Sequence, residues 1–195
     1  PERMIAAGLG DLLGKTTCLC DWKIAHLIIQ EDYCNNIATL VETCTRHVLK
    51  IARHARDRDP VVLGKIMEGL VLAGVAMSLY GNSRPASGCE HHISHYWEMR
   101  FEQRGMPAVP HGIQVGLGTG LILKLTEALR RTPVDFNTAR NAARAYRQKA
   151  WEKQIHAAYG PAAAGIIDLE NRVQKNATDA RLRRIDTMET HWEDI

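Results

Sequence analysis

Apolar residues recur at spacings of three and four along nearly the whole of this chain, and nowhere alternate strictly over a useful length. That period lays one stripe down an α-helix, whereas a half-buried strand needs strict alternation. Leu12 to Ile29 and Ile37 to Ala55 each carry such a stripe. Asp59-Pro60 starts a third helix, because proline suits a first turn whose N–H has no partner inside the helix. Val61 to Leu79 continues it almost without charge, so this helix is expected at the centre of the core. Gly81-Asn82-Ser83-Arg84-Pro85 breaks the pattern, and a short polar helix is expected from about Glu90. Met106 to Pro110, with two prolines, is a second break before a fifth helix over Gly112 to Leu129. From Asp135 to Ile195 the spacing predicts three or four more amphipathic helices, interrupted at Gly160-Pro161. The expected fold is an all-α helical bundle forming one domain over residues 1–195.

Composition narrows the function classes. With 195 residues, 45% hydrophobic and 24% charged, the chain can bury a substantial core and is not intrinsically disordered. The net charge of +3 comes from lysines and arginines scattered among 22 acidic residues, so nothing argues for nucleic acid as a partner. No apolar run approaches the roughly 18 to 20 residues of a transmembrane helix, and no membrane partner is expected. The five cysteines are an odd number in a fairly long chain, which fits reduced thiols and a cytoplasmic protein. The chain begins at Pro1 without an initiator methionine and is expected to be a piece of a longer or processed polypeptide.

Two glycine clusters could be mistaken for phosphate loops. Gly8-Leu9-Gly10-Asp11-Leu12-Leu13-Gly14 lacks the dinucleotide spacing and has too little chain ahead of it to form a strand. Gly116-Leu117-Gly118-Thr119-Gly120 lies inside a helical pattern, where each glycine costs about 1 kcal/mol relative to alanine. Close helix packing is the expected reason for it.

The residues able to carry chemistry are few. In Glu90-His91-His92-Ile93-Ser94-His95, the histidines His91 and His95 are four apart, hence about 40° from one another around a helix and about 6 Å apart along its axis. Such a pair can chelate a metal, or one can ligate while the other handles a proton, though exposed histidines without function share the spacing. His111, between Pro110 and Gly112 at a helix start, is either a ligand on a fixed backbone or a capping residue. Asp11, in an apolar, glycine-rich helix start, is either a ligand or an N-cap. Cys18 and Cys20, two apart on a helix, point apart and are expected to pack rather than chelate. The four tryptophans are expected to anchor cores or interfaces, and His26, His47, His54, His156 and His191 to lie on the surface.

Several of these motifs occur together in a recognisable order. Gly8-Leu9-Gly10-Asp11, Asp21-Trp22-Lys23, the stretch from Ser83 to His91, His95, and His111-Gly112-Ile113-Gln114-Val115-Gly116 together resemble the C-terminal domain of glycerol-1-phosphate dehydrogenases. These belong to the superfamily of iron-containing alcohol dehydrogenases and dehydroquinate synthases. The resemblance spans roughly Ile5 to Leu125 and implies that Asp11, His91 and His111 hold a divalent metal, with His95 near the substrate. One carboxylate and two imidazoles leave coordination positions open, as a catalytic site requires, and zinc, nickel or iron could be held. The resemblance further implies a small phosphorylated polyol or ketone as substrate, with NAD or NADP bound mainly by an N-terminal nucleotide-binding domain outside this chain, and a homodimer. On that reading the metal acts as a Lewis acid on a substrate oxygen, and His95 relays the hydroxyl proton. Arg84 and Lys15 are candidate phosphate cations, against the alternatives of a loop cation and a solvated helix lysine. Two other readings are a cyclase or lyase resembling dehydroquinate synthase, and a helical domain that is silent by itself. The end at Ile195 is also expected to be early for the family.

Overall fold

The computed structural model describes residues 2–195 and bears out the all-α expectation, with no strand among the described residues. The helices are α1 (Glu2–Ile29), α2 (Asn35–Ile51), α3 (Pro60–Tyr80), α4 (Cys89–Gln103), α5 (His111–Arg131), α6 (Phe136–Arg144), α7 (Gln148–Tyr159), α8 (Ala163–Val173) and α9 (Thr178–Thr190). The contacts sort them into two compact units. One comprises the chain up to His26 with Glu31–Arg131, and the other Leu27–Gln30 with Thr132–Ile195.

The first unit has its core where Leu12 of α1, Val48 of α2, and Val62 and Ile66 of α3 meet, joined by Ala55. The start of α3 is built as the sequence predicts: Asp59 accepts from the Val61 N–H, ahead of Pro60 in the first turn. Its end is a glycine cap, with Gly81 at a φ of 89° donating its N–H to the Met77 carbonyl. The central position expected for α3 is not what is found. It buries the stripe Val62, Ile66, Gly69, Ala73 and Ala76 and exposes Val61, Met67, Val71, Val75 and Leu79. An almost wholly apolar helix carries no polar face, so the sequence has no signal for how much of it faces outward. By length and composition Pro60–Tyr80 is also apolar enough to cross a membrane. The sequence expectation is corrected there, because the average over the helix qualifies although Lys65 and Glu68, salt-bridged to each other, interrupt the run.

Helix α1 begins ten residues before the expected Leu12, and takes Gly8, Gly10 and Gly14 into its interior. What offsets their poor helix propensity is contact with α5. A Cβ on Gly112 would stand 1.9 Å from the Ala7 carbonyl oxygen, and one on Gly116 3.0 Å from the Gly10 Cα. Gly118 lies just as tightly against the backbone of Glu90 in α4, at 2.8 Å, whereas Gly120 meets nothing within 4 Å. Close packing therefore explains Gly116 and Gly118 but not Gly120. Trp22 of α1 is fully buried against Tyr33 and Tyr80 and donates its indole N–H to the Asp32 carbonyl.

In the second unit α6 packs on α9 and α7 on α8. Asp135 caps α6 by accepting from the N–H groups of Asn137 and Thr138, and Arg140 reaches Asp186 and Glu189 of α9. Phe136 meets Trp192 edge-on with ring centroids 5.6 Å apart. The interruption foreseen at Gly160-Pro161 is a 3₁₀ turn, Gly160–Ala162.

Candidate metal centre

Three helices of the first unit deliver the candidate ligands. Asp11 sits in the middle of α1, not at its start, which removes N-capping as its role. His91 lies in the first turn of α4, and His111 opens α5. The glycine contacts between α1 and α5 let the two backbones touch, and this brings Asp11 within reach of His111. One donor atom from each of Asp11, His91 and His111 lies within 4.8 Å of the others. The Asp11 Oδ1 to His91 Nε2 separation is 3.4 Å. Two donors, each about 2.0–2.2 Å from a tetrahedral ion, stand about 3.4 Å apart, so the pair has the spacing of two ligands on one metal.

The donors are themselves held in place. His91 Nδ1 is 2.8 Å from Glu90 Oε1, and Glu90, with no exposed surface, also accepts from the Gly88 N–H and the Thr17 hydroxyl. His111 Nδ1 is 2.7 Å from Glu98 Oε1, and His95 Nδ1 is 2.9 Å from Glu98 Oε2. A carboxylate behind each imidazole fixes the ring's orientation and tautomer and raises its basicity as a ligand. This supporting pair was not read from the sequence. Glu98 had a visible signal: His91, His95 and Glu98 are spaced four and three along one helical face. Glu90 had none beyond its neighbour, since only the fold shows it buried.

The electrostatics follow from this wiring. Burial pushes Asp11 up, but hydrogen bonds from His91 and Lys15, with the Lys15 charge, outweigh it and hold the carboxyl at about 2. Burial lowers His91, yet its bonds to Asp11 and Glu90 leave its pKa raised overall. Glu90 and Glu98 are also pushed up by burial, and both end below the usual carboxylate range through the donors around them. Anionic oxygens next to imidazoles in a partly dry site suit a divalent cation.

A cavity of about 310 Å³ opens on the triad, with His95, Lys15, Ser83 and Ser87 in its wall and Leu70, Ala73 and Met77 on its apolar side. His95 is more exposed than His91, at 58% of its side chain against 8%, and its ring lies 5.4 Å from that of His111. Lys15 lines the cavity, but its ammonium, 2.9 Å from both Asp11 Oδ2 and the Ala86 carbonyl oxygen, is aimed at the carboxylate. Arg84 is not brought to the cavity. Its guanidinium is gripped by both oxygens of Glu31, at 2.5 and 2.7 Å, and by Asp21 at 2.7 Å, so its planar fork is taken up inside the protein. Cys89 is half-buried next to the site, and burial raises its thiol to about 11, so it is not a thiolate.

Fold and donor set together define a class: an all-α domain whose carboxylate and two imidazoles form a candidate three-ligand metal centre open to a cavity. No protein-family model matches the chain. It is similar to glycerol-1-phosphate dehydrogenase [NAD(P)+] of Halalkalibacterium halodurans, 39% identical over 139 residues that make up 69% of this chain and 34% of that protein. The protein of that name from Bacillus licheniformis is 33% identical over 189 residues, 91% of this chain and 45% of the relative. That of Pyrococcus furiosus is 40% identical over 119 residues, 61% of this chain and 33% of the relative. The chain is a relative of the glycerol-1-phosphate dehydrogenases, and it spans between about a third and under half of the length of these relatives.

Proposed function

We propose that this chain supplies the metal- and substrate-binding half of an enzyme that interconverts dihydroxyacetone phosphate and glycerol 1-phosphate with NAD or NADP. The observation that carries this reading is the meeting of Asp11, His91 and His111, from three helices, at the wall of one cavity. A divalent ion held there supplies Lewis acidity toward a substrate oxygen. The protein's own groups do the rest. Glu90 and Glu98 keep the two imidazoles oriented, so the ligands need no reorganisation. Lys15 holds Asp11 ionised and pointed inward. With its Nδ1–H given to Glu98, His95 keeps a lone pair on Nε2 with which to take the substrate hydroxyl proton. The hydroxyls of Ser83 and Ser87 in the cavity wall are donors for substrate oxygens. Leu70, Ala73 and Met77 limit water there and strengthen each polar contact. The nicotinamide is bound mainly by a nucleotide-binding domain outside these 195 residues.

The test is metal binding followed by ligand binding on the purified chain. Near-stoichiometric nickel or zinc, bound markedly more weakly by Asp11→Ala, His91→Ala and His111→Ala but not by His95→Ala, is the expected result. Calorimetry should then find that the metal-loaded chain binds glycerol 1-phosphate and that the EDTA-treated chain does not. A metal-loaded chain that ignores glycerol 1-phosphate and dihydroxyacetone phosphate alike would overturn the proposal.

A further inference from the structure

The three-ligand group on α1, α4 and α5 has a neighbour. His95, Glu98 and His111 also offer one donor atom each, all within 4.8 Å of one another, and His111 belongs to both groups. The two groups differ in access. His91 and Asp11 keep 8% and 22% of their side chains exposed, whereas His95 and Glu98 keep 58% and 35%. Glu98 faces an imidazole with each of its oxygens, His111 at 2.7 Å and His95 at 2.9 Å, so the outer group is already gathered around a single carboxylate.

We propose that the site offers one divalent ion two alternative positions sharing His111. The inner position is Asp11, His91 and His111; the outer is His95, Glu98 and His111, where the ion first lands and from which it is passed inward. The proposal rests on the metal-binding reading above. A neutral imidazole has one lone pair, so His111 completes one group at a time, and the positions exclude each other. In the outer position Glu98 is a ligand. Once the ion has moved inward, Glu98 returns to accepting the Nδ1–H bonds of His111 and His95 seen here. The protons involved move between the two nitrogens of a ring, so loading changes the charge only by that of the ion. An exposed imidazole and a partly exposed carboxylate also give a hydrated cation its first two ligands before it must shed the rest of its water, which an inner site reached directly would demand at once.

The test uses the full 195-residue chain with Co(II) alone as probe, read by its visible absorption, and stopped-flow uptake. His95 is exposed on α4, so His95→Ala removes no core contact. Asp11→Asn is expected to retain one equivalent of Co(II) at an affinity lowered about tenfold to a hundredfold, and adding His95→Ala to lower it at least about tenfold further. Alone, His95→Ala should slow uptake about tenfold while shifting the equilibrium affinity by less than about threefold. An Asp11→Asn chain that holds no Co(II), or whose residual binding ignores His95→Ala, overturns the outer position. An Asp11→Asn chain that binds Co(II) as tightly as the parent overturns the inner triad instead, and the proposal falls with it.

Discussion

Gly10 of α1 and Gly112 of α5 meet backbone against backbone, so closely that a Cβ on Gly10 would stand 2.1 Å from the Gly112 carbonyl oxygen. Each is the neighbour in sequence of a candidate ligand, Asp11 and His111. The helix crossing and the candidate metal centre are therefore one construction, and a methyl group at the crossing must push the candidate ligands apart.

Gly10→Ala is expected to cost about 1–3 kcal/mol of stability through overpacking and to weaken metal binding as well. Gly120→Ala provides the contrast. Gly120 lies in α5, the helix that Gly10 packs against, with open space around it, so alanine there should gain up to about 1 kcal/mol and leave metal binding unchanged. Thermal unfolding with and without metal checks both; equal effects of the two changes would remove the crossing from the account.

Asp11 gives the metal-free protein an acid-sensitive element. Its folded pKa of about 2 lies below the ordinary value of about 3.9, so its stabilisation is complete above the unfolded value and is lost as pH falls toward 2. At about 1.4 kcal/mol per pH unit the contribution is between about 2 and 3 kcal/mol. Urea unfolding of EDTA-treated protein between pH 6 and about 2 should show this loss. Asp11→Asn should be less stable near neutrality by a similar amount and should have a flatter acid limb.

Glu90 is a buried anion held by Thr17, Gly88 and His91. Glu90→Gln preserves the shape but withdraws the charge behind the His91 imidazole, and is expected to lower metal affinity about tenfold to a hundredfold. Metal titration beside circular dichroism measures it. Unchanged affinity in a folded variant would reduce Glu90 to a packing role.

Arg84 ties α1 to the segment before α4 through Asp21 and Glu31. Arg84→Ala should lower stability on the order of 1–3 kcal/mol by stranding two carboxylates, with metal and glycerol 1-phosphate affinities unchanged. Loss of glycerol 1-phosphate binding at full stability would return Arg84 to the phosphate.

Periodicity was enough to read the helical class, the breaks at Gly81 and Pro110, and the cap of Asp59 and Pro60, because each depends on residues near in sequence. It misjudged the start of α1, where glycines argued against helix, since what keeps Gly10 helical is Gly112, about a hundred residues away. Among the site residues, Asp11, His91 and His111 were legible through motifs in order, and the structure brings their donor atoms together. Arg84 was a candidate for the substrate phosphate, against a loop cation, and its two acidic partners were invisible because they lie on other segments.

By itself, then, the sequence determined where helices run and which side chains have the chemistry of ligands, since both are local properties of residue type and spacing. The tertiary structure alone decided that Glu90 and Glu98 stand behind the His91 and His111 imidazoles, that Lys15 turns to Asp11, and that one face of α3 looks outward. Those outcomes depend on how the helices cross, and the crossing is set by where two backbones can touch, which no single segment encodes.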